Sequence, residues 1–345
     1  MARKRQHHYV QARYLDGFVI EPHGMLWCYG RKRLSPYSAL PDNLAHQRDF
    51  YALPNSITGE NLEEFLEKFV ETPGLTALRT LVDTKDVPLL TDRVHLSKYI
   101  AFQETRVPYM RDRVKMQMLH EARDMVRRFR ETGGTKAEHH VFATVNGRPV
   151  VRSAPVMISR DEAEEYLQEI EANLKTFDIE MMVEMATDAT PFLAQMSWDV
   201  LLAPPGSNFI SSDCPVFRMF SDESDPNDAF LRPDCKVVCP LTKSALLVMK
   251  HDMDFLTAIV SGKGQSAKKK MPSTAFTEIS DQELSFYNLA IAENANLWCF
   301  SGSKSEWIAQ AMQGRSKRAE LHLFAEKHMT GGRWIRPVEM PSKGE

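Results

Sequence analysis

Three short polar segments carry the residue types that proton transfer or phosphate chemistry needs. The first is His7-His8-Tyr9-Val10, followed by Tyr14-Leu15. Adjacent histidines suit a metal or acid–base role. In a strand, however, neighbouring side chains point to opposite faces, so one of the two would face any given site. The plain alternative is an exposed or hydrogen-bonded histidine. The second segment is Gln103-Glu104-Thr105-Arg106 with Pro108. Gln103 interrupts an apolar stripe where Leu or Ile is expected. Arg106 lies one turn on, beside a proline that kinks or breaks a helix. Such a break aims polar side chains into a cavity, or else the Gln and Arg satisfy the carbonyls it frees. The third is Phe209-Ile210-Ser211-Ser212-Asp213-Cys214-Pro215. A rigid strand end holds a loop carboxylate in place, so Asp213 is a candidate general base or metal ligand. The competing reading is a turn in which Asp213 caps backbone donors.

Weaker signals surround these. Glu64, Glu67 and Glu71, preceded by Glu60, share a helix face at i, i+3 and i+7. That row suits a divalent metal but is more often a solvated face. Cys235 and Cys239 resemble half a zinc site, yet in a strand their α-carbons would lie about 13 Å apart, too far for one ion. The basic stretch 109–131 suits phosphate tracking. It lacks interleaved aromatics for base stacking, and its charge is spread over several faces. The chain contains no Walker loop, GxGxxG, HExxH or GxSxG element. P-loop nucleotide hydrolysis, dinucleotide redox chemistry and the zincin class are therefore set aside.

The elements that must position these residues emerge from periodicity and punctuation. Residues 25–29 read as a strand between Gly24 and Gly30. Asn61 with Glu64 opens a helix expected to stop before Pro73. Leu96, Ile100, Val107, Met110, Val114 and Met118 place one long helical region over 92–131, interrupted at Pro108 and ended by Gly133-Gly134. A hairpin over 140–151 turns at Asn146-Gly147. Ser159 with Glu162 opens a second long helix with Pro191 just beyond its end. Its stripe is Leu167, Ile170, Leu174, Phe177, Met181 and Met185. Strands come next at 198–203, 208–211, 236–239 and 245–249, then a polar loop at 261–270. Helices begin at Ser280 and Ser303, with a strand at 297–300 between them. This order predicts an α+β fold, a mixed or antiparallel sheet with a long kinked helical segment packed on it. The chain reads as one domain over 1–345: N-terminal strands (1–60), a helical region (61–135), a hairpin and helix (136–195), and C-terminal strands and helices (196–335).

Composition adds exclusions. Of 345 residues, 43% are hydrophobic and 26% charged, which is ordinary globular composition and enough for a core. No run of about 18 apolar residues exists to span a membrane. The net charge of −3 makes no case for nucleic acid, but its distribution is uneven. Residues 106–130 carry eight Arg/Lys against three Asp/Glu, a block of +5, and 161–188 carry ten Asp/Glu against Lys175, a block of −9. Such blocks polarise the surface or neutralise each other. Five irregularly spaced cysteines read as reduced thiols, and the basic start lacks a secretory apolar region, which points to the cytoplasm.

Taken in order, these residues resemble an uncharacterised bacterial family, domain of unknown function 4238 (DUF4238). The resemblance rests on His8-Tyr9-Val10 with Tyr14-Leu15 and Phe18, Trp27-Cys28-Tyr29, Asp49-Phe50-Tyr51, and Glu63-Glu64 with Glu71. It continues through Gln103 to Pro108, Ser212-Asp213-Cys214-Pro215, Pro240-Leu241-Thr242, and Asn288. Val107 stands where the family has Thr, Cys214 where it has Asn, and Gln11 where it often has Pro. The resemblance implies a bacterial or phage-related protein, and the association of some relatives with antiviral defence loci implies an antiphage role. Two functions are then expected. One is a hydrolase or nuclease acting on a phosphodiester or nucleotide. In it His8 or Asp213 is acid or base, Arg106 steadies phosphate charge, and His7, Gln103, Ser212 and Asn288 bind, with a divalent metal left open as cofactor. The alternative is a non-catalytic sensor that binds a nucleotide, a nucleic-acid end or a phage protein in the same polar pocket.

Overall fold

Near-continuous apolar runs at 237–241 and 245–249 build inner strands of the sheet on which the rest packs. The computed structural model describes residues 6–20, 22, 24–51, 58–132, 135–145, 148–158, 160–220, 232–251 and 272–313. Its N-terminal part runs β1 (Gln6–His8), α1 (Ala12–Leu15), β2 (Leu26–Gly30), β3 (Tyr37–Ala39) and β4 (His46–Arg48). A helical part comes next: α2 (Thr58–Leu66), a π-helical turn (Glu67–Glu71), α3 (Thr72–Thr84), α4 (Leu90–Thr105) and α5 (Pro108–Thr132). The hairpin β5 (Thr135–Val145) and β6 (Arg148–Ile158) leads into α6 (Arg160–Gln195). Then come β7 (Ser197–Leu202), β8 (Ser211–Ser212), β9 (Phe217–Met219), β10 (Lys236–Thr242), β11 (Ala245–Lys250) and β12 (Thr274–Glu278). The described residues end with α7 (Asp281–Asn294), β13 (Trp298–Ser301) and α8 (Glu306–Gln313).

A five-stranded sheet has the order β12-β7-β11-β10-β9, and a four-stranded sheet the order β3-β2-β13-β8. All their pairings are antiparallel except β12 with β7, which is parallel. The α+β class with mixed and antiparallel sheets is thus the observed one. Because side chains alternate across a strand, the larger sheet faces two cores. Val200, Val237, Cys239, Leu247 and Met249 meet Leu78, Leu96, Ile100, Met182 and Leu193 from α3, α4 and α6. Leu201, Val238, Leu246 and Val248 meet Tyr29, Cys299, Ile291 and Ile308 on the other side. The large sheet therefore lies between a helical layer and a layer of smaller sheet plus α7 and α8. Among the described residues no helix is long and apolar enough to cross a membrane.

The long helical region breaks rather than bends. Arg106 closes α4 in an α-type conformation, and Pro108 is the first residue of α5, where its missing N–H costs nothing. Helix α4 is buried on nearly every side, from Arg93 through Leu96 and Ile100 to Thr105. Three expectations need correction. The helix expected at Asn61 begins at Thr58 and does not stop before Pro73, because the π turn carries it into α3, whose first turn takes the proline. Pro191 lies inside α6, not beyond it. There Phe192, Leu193 and Ala194 are packed in the core, and the Thr190 hydroxyl donates to the Ala186 carbonyl. Finally, Asn173 departs from helical geometry (φ −120°, ψ 18°), so the inward face of α6 shifts to Ile179, Met182 and Ala186. The hairpin pairs Val145 with Arg148, while Asn146, Gly147, Ser159 and the 261–270 loop lie outside the described residues. Ser280 and Glu283 do form the expected capping box on α7.

The opposed charge blocks meet each other. Helices α5 and α6 pack together, with Arg123 on Glu171 at 2.9 Å and Lys115 on Asp178 at 2.9 Å. Helices α3 and α4 approach so closely at Gly74 that an added Cβ would lie 2.3 Å from the Cβ of Tyr99. Gly74→Ala is therefore expected to lower stability by about 1–3 kcal/mol through overpacking, although alanine is the better helix former by about 1 kcal/mol. Urea denaturation measures this; an unchanged or higher midpoint contradicts it.

Candidate functional site

The α4 break and the π turn together bury a guanidinium. On α4, Tyr99, Gln103 and Arg106 stand at i, i+4 and i+7 and so share a face. A π turn holds an extra residue relative to an α-helix and re-phases the side chains after it. Glu64 and Glu67 stay exposed, while Glu71, last in the turn, leans inward. Its Oε1 accepts from Arg106 Nη1 at 2.5 Å. Arg106 Nη2 donates to Gln103 Oε1 at 2.5 Å, and Gln103 Nε2 donates to the Tyr9 carbonyl at 2.9 Å. Gln103 thus ties the N-terminal segment to the helix break. Arg106 is 1% exposed. Burial works against its charge, but Glu71, Tyr51 and Tyr99 outweigh that and hold its pKa above the ordinary value.

Around this pair lies a second ring of groups. His7 Nδ1 accepts from the Tyr51 backbone N–H at 2.9 Å, which fixes the neutral ring's proton on Nε2, 3.4 Å from Glu63 Oε2. The His7 and Tyr51 rings stack with centroids 5.5 Å apart. Arg111 grips buried Asp178 with two bonds, of 3.0 and 2.7 Å, and donates to the Phe50 carbonyl at 2.7 Å. The Tyr51 phenol sits among these charges, and burial pushes its pKa up to about 12. Two buried polar atoms in the cluster have no hydrogen-bond partner: Arg106 Nε and the Tyr99 hydroxyl. The guanidinium carbon lies 6.0 Å from the Tyr99 ring centre.

The other expected site residues hold main chain. Both Asp213 carboxylate oxygens accept backbone donors, from Asn296 at 2.9 Å and Leu297 at 2.7 Å. The Ser212 hydroxyl accepts from the Cys214 N–H at 3.2 Å. Asn288 braces the strand entry, accepting from Ile210 N–H at 3.0 Å and donating to the Asn208 carbonyl at 2.9 Å. His8 Nδ1 bonds the Leu44 carbonyl at 3.1 Å. These contacts do not describe a cleft in which His8, Arg106 and Asp213 act as one unit. Tyr9 links the two regions: its carbonyl holds Gln103, while burial and then Asp213 and Cys214 raise the pKa of its phenol. The structure instead gathers His7, Gln103 and Arg106 with Tyr51, Glu63, Glu71, Tyr99, Arg111 and Asp178. Among the described residues no three His, Cys, Asp or Glu side chains form a group able to hold a metal.

Against this geometry the family can be placed. The model of the family described as Protein of unknown function (DUF4238) matches residues 6–305, and the chain belongs to that family. No curated protein and no solved structure matches the chain.

The cluster makes two outcomes measurable. Removing one partner of a buried ion pair strands the other, so Arg106→Met and Glu71→Leu are each expected to cost about 2–4 kcal/mol. The double variant should cost clearly less than their sum in a denaturation cycle; additive losses would show that the two side chains do not communicate. The five cysteines are all buried, and burial pushes Cys28, Cys235 and Cys239 up to about 12. A thiol reagent at pH 8 should therefore find no fast-reacting cysteine until denaturant is added.

Proposed function

We propose that this chain is a recognition protein that receives a small ligand, a nucleotide or a phage-derived component, at the Arg106 cluster and does not turn it over. One observation carries this reading: two buried hydrogen-bond donors, Arg106 Nε and the Tyr99 hydroxyl, lack acceptors in a cluster otherwise closed by Glu71, Gln103 and His7. A buried polar group without a partner costs about 1–3 kcal/mol, and a bound acceptor would relieve that cost. Segments distant in sequence, at 7–9, 51, 63–71 and 99–111, supply the cluster, as binding sites commonly require. Hydrolysis is less well supported, because Asp213 and His8 are engaged with backbone groups and stand as weak candidates for acid or base. In the antiviral setting that the resemblance suggests, such a protein would act as a sensor.

Calorimetric titration of the full chain with nucleosides and nucleotides, with chromatography of each mixture afterwards, tests this. Binding without product is expected. Arg106→Lys keeps a cation for Glu71 but removes the Nε donor, and it should weaken binding at least tenfold. Product formation abolished by Asp213→Asn, or binding indifferent to Arg106→Lys, would overturn the proposal.

A further inference from the structure

The charge balance of the cluster restricts what kind of acceptor it can take. Arginine offers five N–H donors in a fixed fork. At Arg106 one nitrogen serves Glu71 and one serves Gln103, which leaves Nε without an acceptor. The Tyr99 hydroxyl is a second donor without one, and its residue is 1% exposed. Tyr99 cannot swing away easily, because the α3 backbone at Gly74 rests against its Cβ. Both donors therefore call for an oxygen or nitrogen acceptor.

The full charges are already matched. Arg106 is answered by Glu71, Arg111 by Asp178, and Lys115 by Asp178 and Asp112 together. A phosphate or carboxylate brought to Arg106 would place a second negative charge beside Glu71 with no further cation for it. Desolvating an unmatched charge costs several kcal/mol, more than two added hydrogen bonds return. An uncharged carbonyl oxygen takes the same donors without that penalty. Glu71 uses Oε1 for Arg106 and, at 19% side-chain exposure, sits at the rim of the buried cluster. Its second oxygen is an acceptor for a donor on the same ligand. A group with a carbonyl beside a ring N–H fits both demands.

Resting on the recognition reading above, we infer that the ligand enters base first: the lactam edge of a nucleobase, such as guanine or uracil, meets Arg106, Tyr99 and Glu71, and any phosphate stays outside. The test titrates the full chain separately with guanosine, uridine, inorganic phosphate and pyrophosphate. Guanosine or uridine should bind, and phosphate and pyrophosphate should not compete with it. Tyr99→Phe should weaken nucleoside binding about five- to tenfold while leaving the thermal midpoint of the free protein equal or higher, since it removes a buried hydroxyl that lacks a partner. Binding of phosphate or pyrophosphate that Arg106→Lys abolishes would overturn the base-first inference and leave the recognition reading standing. If no nucleoside, nucleotide or phosphate binds, and a crystal structure shows a single water on Nε, both fall.

Discussion

A guanidinium withdrawn from water has to be answered by an opposite charge, and at Arg106 that demand organises much of the helical half. The partner carboxylate arrives only because a π turn rotates Glu71 off the face it would share with Glu64 and Glu67. The second partner, Gln103, fixes the fork from below and passes the connection on to the Tyr9 carbonyl. The α4 break, the π turn and the N-terminal strand are thereby held in one register. A polar network of this kind contributes little net stability compared with apolar packing, but it penalises every arrangement that leaves a member unpaired.

Two further arginines do a different job. Arg93 is fully buried, makes no ion pair among the described residues, and donates to the carbonyls of Ala194 and Met196 and to the Thr274 hydroxyl. It also lies 4.1 Å over the Trp198 ring, and burial lowers its pKa to about 10. In the first turn of its own helix a cation is badly placed, but it meets the negative end of α6, where carbonyls have no helical partner. Those bonds close the end of α6 where the chain turns into β7. Arg31 meets α7 in the same way, bonding the carbonyls of Ala292, Glu293 and Ala295.

Much of this fold is legible in the sequence because its signals are local. Short apolar runs mark β7, β10 and β11, Ser280 with Glu283 marks α7, and Pro108 marks the α4–α5 break. The π turn is not legible, since nothing in Glu67–Glu71 distinguishes an i→i+5 turn from an α-helical one. Glu71 accordingly reads as part of a solvated row. Asp178 escapes for a related reason: the Asn173 irregularity moves the inward face of α6 by one position. Gln103 and Arg106 stand out because a polar residue in an apolar stripe is conspicuous. Asp213 looks equally chemical from its surroundings, and only its two backbone partners reveal the capping role. Tyr99 carries no signal, because an aromatic in a buried helix reads as core.

The pairing of α5 with α6 has an electrical consequence. Opposite charges held a few ångströms apart cancel at distance, but a block of +5 against one of −9 leaves four negative charges over. Beyond about 8 Å, the screening length in physiological salt, this arm therefore presents a weakened but still negative field, which slows the approach of anions and eases that of cations.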